Sequence, residues 1–402
     1  MSKAVVIGGG VGGLTAGVAL RRKGWDVTVL ERAPKIDPVG SGLAIASNAL
    51  KALDTLDLGD EVRELARLQG QVGIRKANGR WLVHTSGDDA EARYGDSMVV
   101  TLRATLMDVL MDALGTDRLR LNTTVSGVDA DAGTVRTEDG DLAADLIVAA
   151  DGIHSATRRA LFPEHPGPTY SGVTAWRGLI PRGDLTIRST ESWGRGLVFG
   201  VHLLAGDIVY VYATDVSPAG ATHGDEREEL LRRFGNWHEP IPTLLRTADP
   251  ANIIRNDIYY FDTPLPAFHQ GKVALVGDAA HPMTPNLGQG ACQAIEDAIV
   301  LAHLIGPANP ADDAEPAGGA LAAYTAARLE RTSKIVRQAM TICKLTKLRN
   351  PVAVGLRDFG MSAAARLSPD LMLRSMDDLL RWRPPVMGGN DKNAGPEGAD
   401  AR

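Results

Sequence analysis

AVVIGGGVGGLTAGVALRRKGWDVTVLE, residues 4–31, decides the fold of this chain. AVVI is a short apolar run of strand character, Leu14 to Arg22 has helical spacing, and WDVTVLE is again β-rich. The turn between the first strand and the helix, Gly8-Gly9-Gly10-Val11-Gly12-Gly13, satisfies the pattern G-x-G-x-x-G. Gly8 permits the tight turn, Gly10 lets backbone approach a pyrophosphate, and Gly13 lets the helix pack on the sheet. Glu31 closes the second strand 18 positions after Gly13, the region in which a carboxylate binds ribose hydroxyls. Arg32 beside it either reaches the same nucleotide or is a solvated side chain. The stretch predicts a βαβ unit with a dinucleotide on its helix N-terminus.

Two more signals lie downstream. ADLIVAADG (144–152) is a continuous apolar run ending in Asp151-Gly152, the pattern of a buried parallel strand with a functional C-terminal end. VALVGDAAHPMTPNLGQGACQAIEDAI (273–299) joins an apolar run ending in Gly277-Asp278 to a turn, Gly288-Gln289-Gly290, that opens a helix. That layout suits a carboxylate meeting sugar hydroxyls while a positive helix end faces a negative group. Between these pieces, 47–68 and 103–115 have helical patterns. Residues 170–215 alternate like a mixed sheet, followed by a helical stretch near 225–236 and a strand near IIRNDIYYF.

Composition narrows the function. With 402 residues, a net charge of -6 and a sequence pI near 5.9, the chain has no basic footprint, which argues against nucleic acid as a partner. The cysteines, Cys292 and Cys343, suit neither a disulfide framework nor a zinc site, and no His/Cys cluster has metal-ligand spacing. MSKAVVIGGG runs straight into a strand with no leader pattern, and no 18-residue apolar span follows, so the expectation is a soluble, cytoplasmic protein without a membrane span.

In this order the three motifs, with Ser155 and Arg158 following Asp151-Gly152, resemble those of the single-component class A flavoprotein monooxygenases. The run from Trp176-Arg177-Gly178 through Phe199-Gly200 to Val209-Tyr210 is similar to the branch holding urate hydroxylases, salicylate-type hydroxylases and zeaxanthin epoxidase. The resemblance spans residue 4 to about 345 and implies an α/β fold: a Rossmann-like FAD-binding domain with an inserted mixed β-sheet substrate domain and C-terminal helices. The expected division is 1–169 for the first FAD-binding segments, with substrate-domain strands inserted near 70–100, then 170–268 for the substrate domain and 269–305 for the returning FAD-binding segment. C-terminal helices at about 321–348 and 353–383 occupy 306–386 after the surface loop GPANPADDAEPAGGA, and 387–402 form a disordered tail.

The resemblance further implies non-covalent FAD, NAD(P)H and O2 as co-substrates, and a small aromatic or polycyclic substrate hydroxylated or epoxidised through a flavin C4a-hydroperoxide. Only one complete dinucleotide fingerprint is present, so NAD(P)H has no domain of its own. Carried onto this chain, Gly8, Gly10, Gly12, Gly13, Glu31 and Arg32 serve the ADP half of FAD. Asp278 binds the ribityl chain, and Pro285, Gly288, Gln289 and Gly290 lie along the isoalloxazine ring. Asp151, Gly152 and Arg158 are associated with both FAD and the pyridine nucleotide. Arg103, Val125 and the loop glycines Gly40 and Gly42 complete the FAD set. His281 has a packing or hydrogen-bonding role rather than an acid/base one.

The substrate side draws on Trp176, Arg177, Phe199, His202, Tyr210, Tyr212 and Met283 by position. Tyr210 and Tyr212 share one strand face, opposite Val209 and Val211, and that face either lines a pocket or packs in the core. Arg177 binds an anionic substrate or flanks a strand end. His202 is a candidate base for a phenolic substrate or a structural histidine, and Arg177, Tyr210 and His202 are the catalytic candidates. A monomer or a homodimer is expected. Alternatives are a flavin-dependent halogenase, against which Gly178 stands where a second tryptophan is needed, and an FAD-binding protein without net redox turnover. LRSMDDLLRWRPP (373–385) either touches a membrane surface or docks on the protein body.

Overall fold

The computed structural model describes residues 1–36, 41–65, 71–308, 316–367 and 371–385. Strands Lys3–Ile7, Asp26–Leu30 and Leu146–Ala149 form the centre of a six-stranded sheet, flanked by Val273–Leu275 and His269–Gln270 on one side and Leu119–Arg120 on the other. All pairs are parallel except the His269–Gln270 edge. Buried on both faces, these strands need apolar side chains at successive positions, and Val5, Val6, Ile147, Val148, Ala274 and Leu275 supply them at 4% exposure or less. The chain leaves Lys3–Ile7 to pair first with Asp26–Leu30 and later returns to its other side through Leu146–Ala149. The turns Gly8–Gly10 and Ala150–Gly152 therefore flank a topological switch point, where such sheets bind ligands.

A second, seven-stranded sheet runs in the order Ile253–Tyr260, Thr169–Pro181, Ile208–Val216, Leu197–Leu203, Thr190–Trp193, Gln71–Lys76, Trp81–Ser86. It is antiparallel except for the pair Thr190–Trp193 with Gln71–Lys76, so the hairpin at 71–86 belongs to this sheet although it precedes Asp151 in sequence. One face is covered by helices Glu226–Phe234 and Ile241–Thr247 over a core of Trp176, Phe199, Val209, Val211 and Phe234. The other face looks toward the nucleotide-binding sheet. A ribbon of Gly42–Ile45 with Val99–Leu102 and a small sheet at Val125–Ala143 complete the strands described.

Helix Gly290–Ile305 packs against Val11–Arg22 and Pro316–Thr346. After Pro316–Thr346 the described residues form three helices, Pro351–Leu367, Leu371–Arg374 and Asp377–Leu380, where the sequence suggested one segment at about 353–383. Its end is docked. Arg93 pairs with Asp377, the Tyr94 hydroxyl donates to the Leu373 carbonyl, Ser47 Oγ donates to the Leu380 carbonyl, and Arg331 donates to the carbonyls of Asp378 and Leu379. Among the described residues no helix is long and apolar enough to cross a membrane. The loop read at 306–320 already becomes helix at Pro316, and Gly40 and the tail 387–402 lie outside the described residues.

Candidate functional site

Between the two sheets lies a cavity of about 540 Å³. One wall is backbone. Gly10, Val11 and Gly12 bring the first turn of helix Val11–Arg22 to it, and Gly277, Asp278, Pro285, Gly288, Gln289 and Gly290 add the downstream segment. The glycines are dictated by contact. At Gly8 (φ +105°) a Cβ would lie 2.4 Å from the Ala150 carbonyl oxygen, and at Gly13 it would lie 1.9 Å from that of Gly8. Side chains at either place would force strand, turn and helix apart. The first-turn N–H groups of both helices lack helical partners by construction and carry partial positive charge.

Asp278 opens onto this wall. Burial of its surroundings pushes its carboxyl above the ordinary range, with His281, Arg103 and Arg158 working the other way. Arg103 lies across from Gly10, its guanidinium nitrogen 3.8 Å from where a Gly10 Cβ would stand. Glu31 accepts from the N–H groups of Gly9 (2.7 Å) and Ala33 (2.9 Å), which fixes its carboxylate while each oxygen keeps a lone pair for a hydroxyl donor. The buried Gln289 Nε2 beside the cavity has no partner among the described residues. A glycine cradle at helix ends, a carboxylate at each of two sugar positions and a free amide donor fit the pyrophosphate, hydroxyl and ring parts of FAD.

A buried ionic network holds this wall in place. Arg328 donates to Glu296 Oε2 and Asp297 Oδ1, both at 2.6 Å, and Arg331 adds two bonds to Glu296. Asp297 Oδ2 accepts from the Gly277 N–H (2.9 Å) and pairs with His281 Nε2 (2.6 Å). Burial opposes ionisation of Asp297, yet His281 and Arg328 together hold its carboxyl down to about 2. Asn48 Nδ2 and Gln293 Nε2 donate to Gln289 Oε1, and both also donate to Glu296. Two cavity segments are thereby fixed to one charge cluster. His281 serves Asp297 rather than a ligand in this geometry.

The opposite wall is side chains: Arg177, Glu191, His202, Tyr210, Tyr212 and Thr214 from the seven-stranded sheet, with Met98, Val100, Leu43 and Met283 closing it. Burial pulls His202 down to about 4, so the ring is neutral at ordinary pH and a weak base. It stacks on Tyr212 at 5.8 Å between centroids. Burial raises the Glu191 carboxyl, while Trp193 Nε1 and the Tyr212 hydroxyl both donate to it. Burial also raises Tyr210, and Arg177 beside it pulls the other way.

Some expected residues lie elsewhere. Phe199 faces the helical cover, its ring 5.1 Å from Phe234, because it alternates with His202 and Gly200 along one strand. Trp176 turns the same way and donates to Glu226 Oε2 (2.6 Å). Arg158 is buried at 2% exposure. It does not line the cavity but donates to the carbonyls of Ala279 (3.2 Å) and Ile153 (2.8 Å), tying the Asp151-Gly152 turn to the Asp278 segment. Gly152 lines the cavity; Asp151, the exposed Arg32 and Val125 on its strand do not. Glu191 was missed, since a charged residue in a short strand reads as solvent-facing. An isolated glycine inside a strand, Gly200, was the available signal of a close approach there.

The chain matches the FAD binding domain family over residues 1–200 and 245–339. It is 41% identical over 362 residues to the aurachin C monooxygenase/isomerase of Stigmatella aurantiaca, covering 88% of this chain and 92% of that one. It is 33% identical over 361 residues to the FAD-dependent urate hydroxylase of Mycolicibacterium vanbaalenii, covering 87% and 90%. The crystal structure of Klebsiella pneumoniae HpxO complexed with FAD and uric acid superposes with a TM-score of 0.85 at 28% identity, covering 94% of this chain and 96% of that one.

Proposed function

The chain belongs to the FAD binding domain family of class A flavin monooxygenases and is an FAD-dependent monooxygenase; from that premise we propose that it uses NAD(P)H and O2 to oxygenate an aromatic or heteroaromatic ring. The observation that carries this reading is one cavity with two unlike walls, a glycine backbone cradle on one side and Arg177, Glu191, His202, Tyr210 and Tyr212 on the other. The relatives named above, one acting on aurachin C and one on urate, support a flat cyclic substrate.

Bound FAD supplies the redox and oxygen-activating chemistry. The protein's share is binding, orientation and exclusion of water. Gly10 and Gly12 would give a pyrophosphate access to the helix end, with Gly8 and Gly13 letting strand, turn and helix close together; Glu31 and Asp278 would accept from hydroxyls, and the helix N-terminus at Gly288 to Gly290 would favour negative charge developing on the ring. Leu43, Met98, Val100 and Met283 keep the space between the walls apolar, which shields a water-sensitive reaction. Without a second dinucleotide fingerprint, NAD(P)H visits the same cavity rather than a separate domain.

The test is oxygen-isotope labelling of product under 18O2 with ring substrates scored by ligand-stimulated NAD(P)H oxidation. One labelled oxygen per product is expected. Label from water, or NAD(P)H oxidation that no ring compound stimulates, overturns the reading.

A further inference from the structure

At the cavity wall a single cross-sheet row reads Ile254, Arg177, Tyr212, Gly200, Glu191, Ile74. Arg177 pairs with Ile254 and Tyr212, Gly200 with Tyr212 and Glu191, and Glu191 with Ile74. Tyr212 and Glu191 are thus two strands apart, and a side chain between them would block their contact. The intervening residue is Gly200, where a Cβ would lie 2.1 Å from the Tyr212 ring. The ring lies across that glycine, and its hydroxyl donates to Glu191 Oε2 at 2.6 Å. The other carboxylate oxygen accepts from Trp193 Nε1.

This arrangement fixes a polarity. A phenol has one proton to donate, and Tyr212 gives it to Glu191, so toward the cavity its oxygen offers only lone pairs. We propose that Tyr212, held as an acceptor by Glu191, forms a ligand-reading subsite that selects neutral aromatic rings bearing an O–H or N–H and rejects ring carboxylates. The subsite rests on the monooxygenase reading and narrows its substrate class. The Tyr212 and Glu191 oxygens offer an anionic ring substituent no donor at this point, and the Arg177 hydrogen bonds run to Asn256 Oδ1 (3.3 Å) and to Tyr210.

The direction can be inverted by one nearly isosteric change. Indole N–H is donor-only, so in Glu191→Gln the amide oxygen must face Trp193 and the amide NH2 must face Tyr212. The Tyr212 oxygen then accepts from the amide, and its own O–H turns to the cavity. The subsite changes from acceptor to donor.

The experiment titrates purified, FAD-loaded protein with 2-naphthol, 2-methoxynaphthalene and 2-naphthoate, following flavin absorbance. The wild type should bind 2-naphthol about tenfold tighter than the methyl ether, the worth of one hydrogen bond in a buried site, with 2-naphthoate weakest. Glu191→Gln should lose the naphthol preference and gain affinity for 2-naphthoate. Tyr212→Phe should flatten the series while keeping FAD. Gly200→Ala, which pushes the ring off Glu191, should also erase the preference and serves if Glu191→Gln does not fold. A wild type that does not discriminate, or a Glu191→Gln protein that still prefers 2-naphthol, overturns the subsite. Neither result touches the monooxygenase reading, which stands on FAD content and oxygen labelling.

Discussion

The wall that receives FAD and the wall opposite it are built from different material. The first is mainly backbone: Gly10, Gly12, Gly277, Gly288 and Gly290 line the cavity where two helices begin, and each motif occupies one short stretch of chain. The second is a patchwork in which Arg177, Glu191, His202 and Tyr212 come from four strands and meet through cross-strand pairing. A pyrophosphate and a sugar are constant, so a local motif can serve them. A substrate ring differs from enzyme to enzyme, and a sheet face allows one position to change without disturbing the cradle. The contrast predicts that damage to the first wall costs fold or cofactor, and damage to the second costs selectivity.

The largest expected effect lies behind the first wall. Arg328→Met leaves the Glu296 and Asp297 carboxylates buried with one compensating cation fewer, Arg331 still pairing with Glu296 and His281 still hydrogen-bonded to Asp297, and breaking buried ion networks costs about 3–5 kcal/mol. Denaturant midpoints should fall accordingly, and FAD should be retained poorly because Gly277 and Gln289 are anchored to this cluster. An Arg328→Met protein of wild-type stability would show that the network is ornamental. Next comes Asp278→Ala, which removes one charge-assisted acceptor, worth about 1.5–3 kcal/mol or roughly ten- to a hundredfold in FAD affinity. Equilibrium FAD titration of the folded apoprotein checks it, and unchanged affinity would detach Asp278 from the cofactor.

These two positions also show what was legible. The Asp278 segment and the fingerprint at Gly8–Gly13 were readable because strand, turn and helix are adjacent in sequence and geometry follows from spacing. The network was not, since Asn48, Glu296, Asp297 and Arg328 come together only when three helices pack. On the substrate wall, alternation is readable: it puts Tyr210 and Tyr212 on one strand face, and both line the cavity. Applied also to Leu197–Leu203, it excludes placing Phe199 and His202, three residues apart, on one face. The adjacent Trp176 and Arg177 carry the same contradiction. In both cases the structure puts the aromatic ring under the helices and the polar group in the cavity.

Phe199→Leu sharpens that assignment. A large-to-small change of this size in a packed apolar core costs roughly 1–2 kcal/mol, between the costs of Ile→Val and Phe→Ala, so thermal stability should drop while ring-ligand affinity stays unchanged. A shift in ligand affinity without loss of stability would return Phe199 to the cavity wall.

The last expected effect is a slope, absent at neutral pH and felt only in acid. His202 titrates at about 4 in the fold against 6.5 for a free histidine, because burial disfavours its charged form. Above 6.5 both folded and unfolded chains carry the neutral ring and the group leaves stability independent of pH. As pH falls from 6.5 toward 4, the unfolded chain takes up a proton that the folded chain refuses, so stability declines by up to about 1.4 kcal/mol per pH unit from this group alone. His202→Phe keeps the stack on Tyr212 but cannot titrate. Its stability should fall less steeply than that of the wild type between pH 6.5 and 4, with the two running parallel above pH 7. Asp297, held at about 2 by His281 and Arg328, acts below this window: its contribution is present above about pH 4 and is lost as pH falls toward 2, equally in both proteins. Parallel curves between pH 6.5 and 4 would mean that His202 takes up its proton in the fold as readily as in the unfolded chain, which would make it a cationic partner for ligands below pH 6.5 and reverse the polarity assigned to that wall.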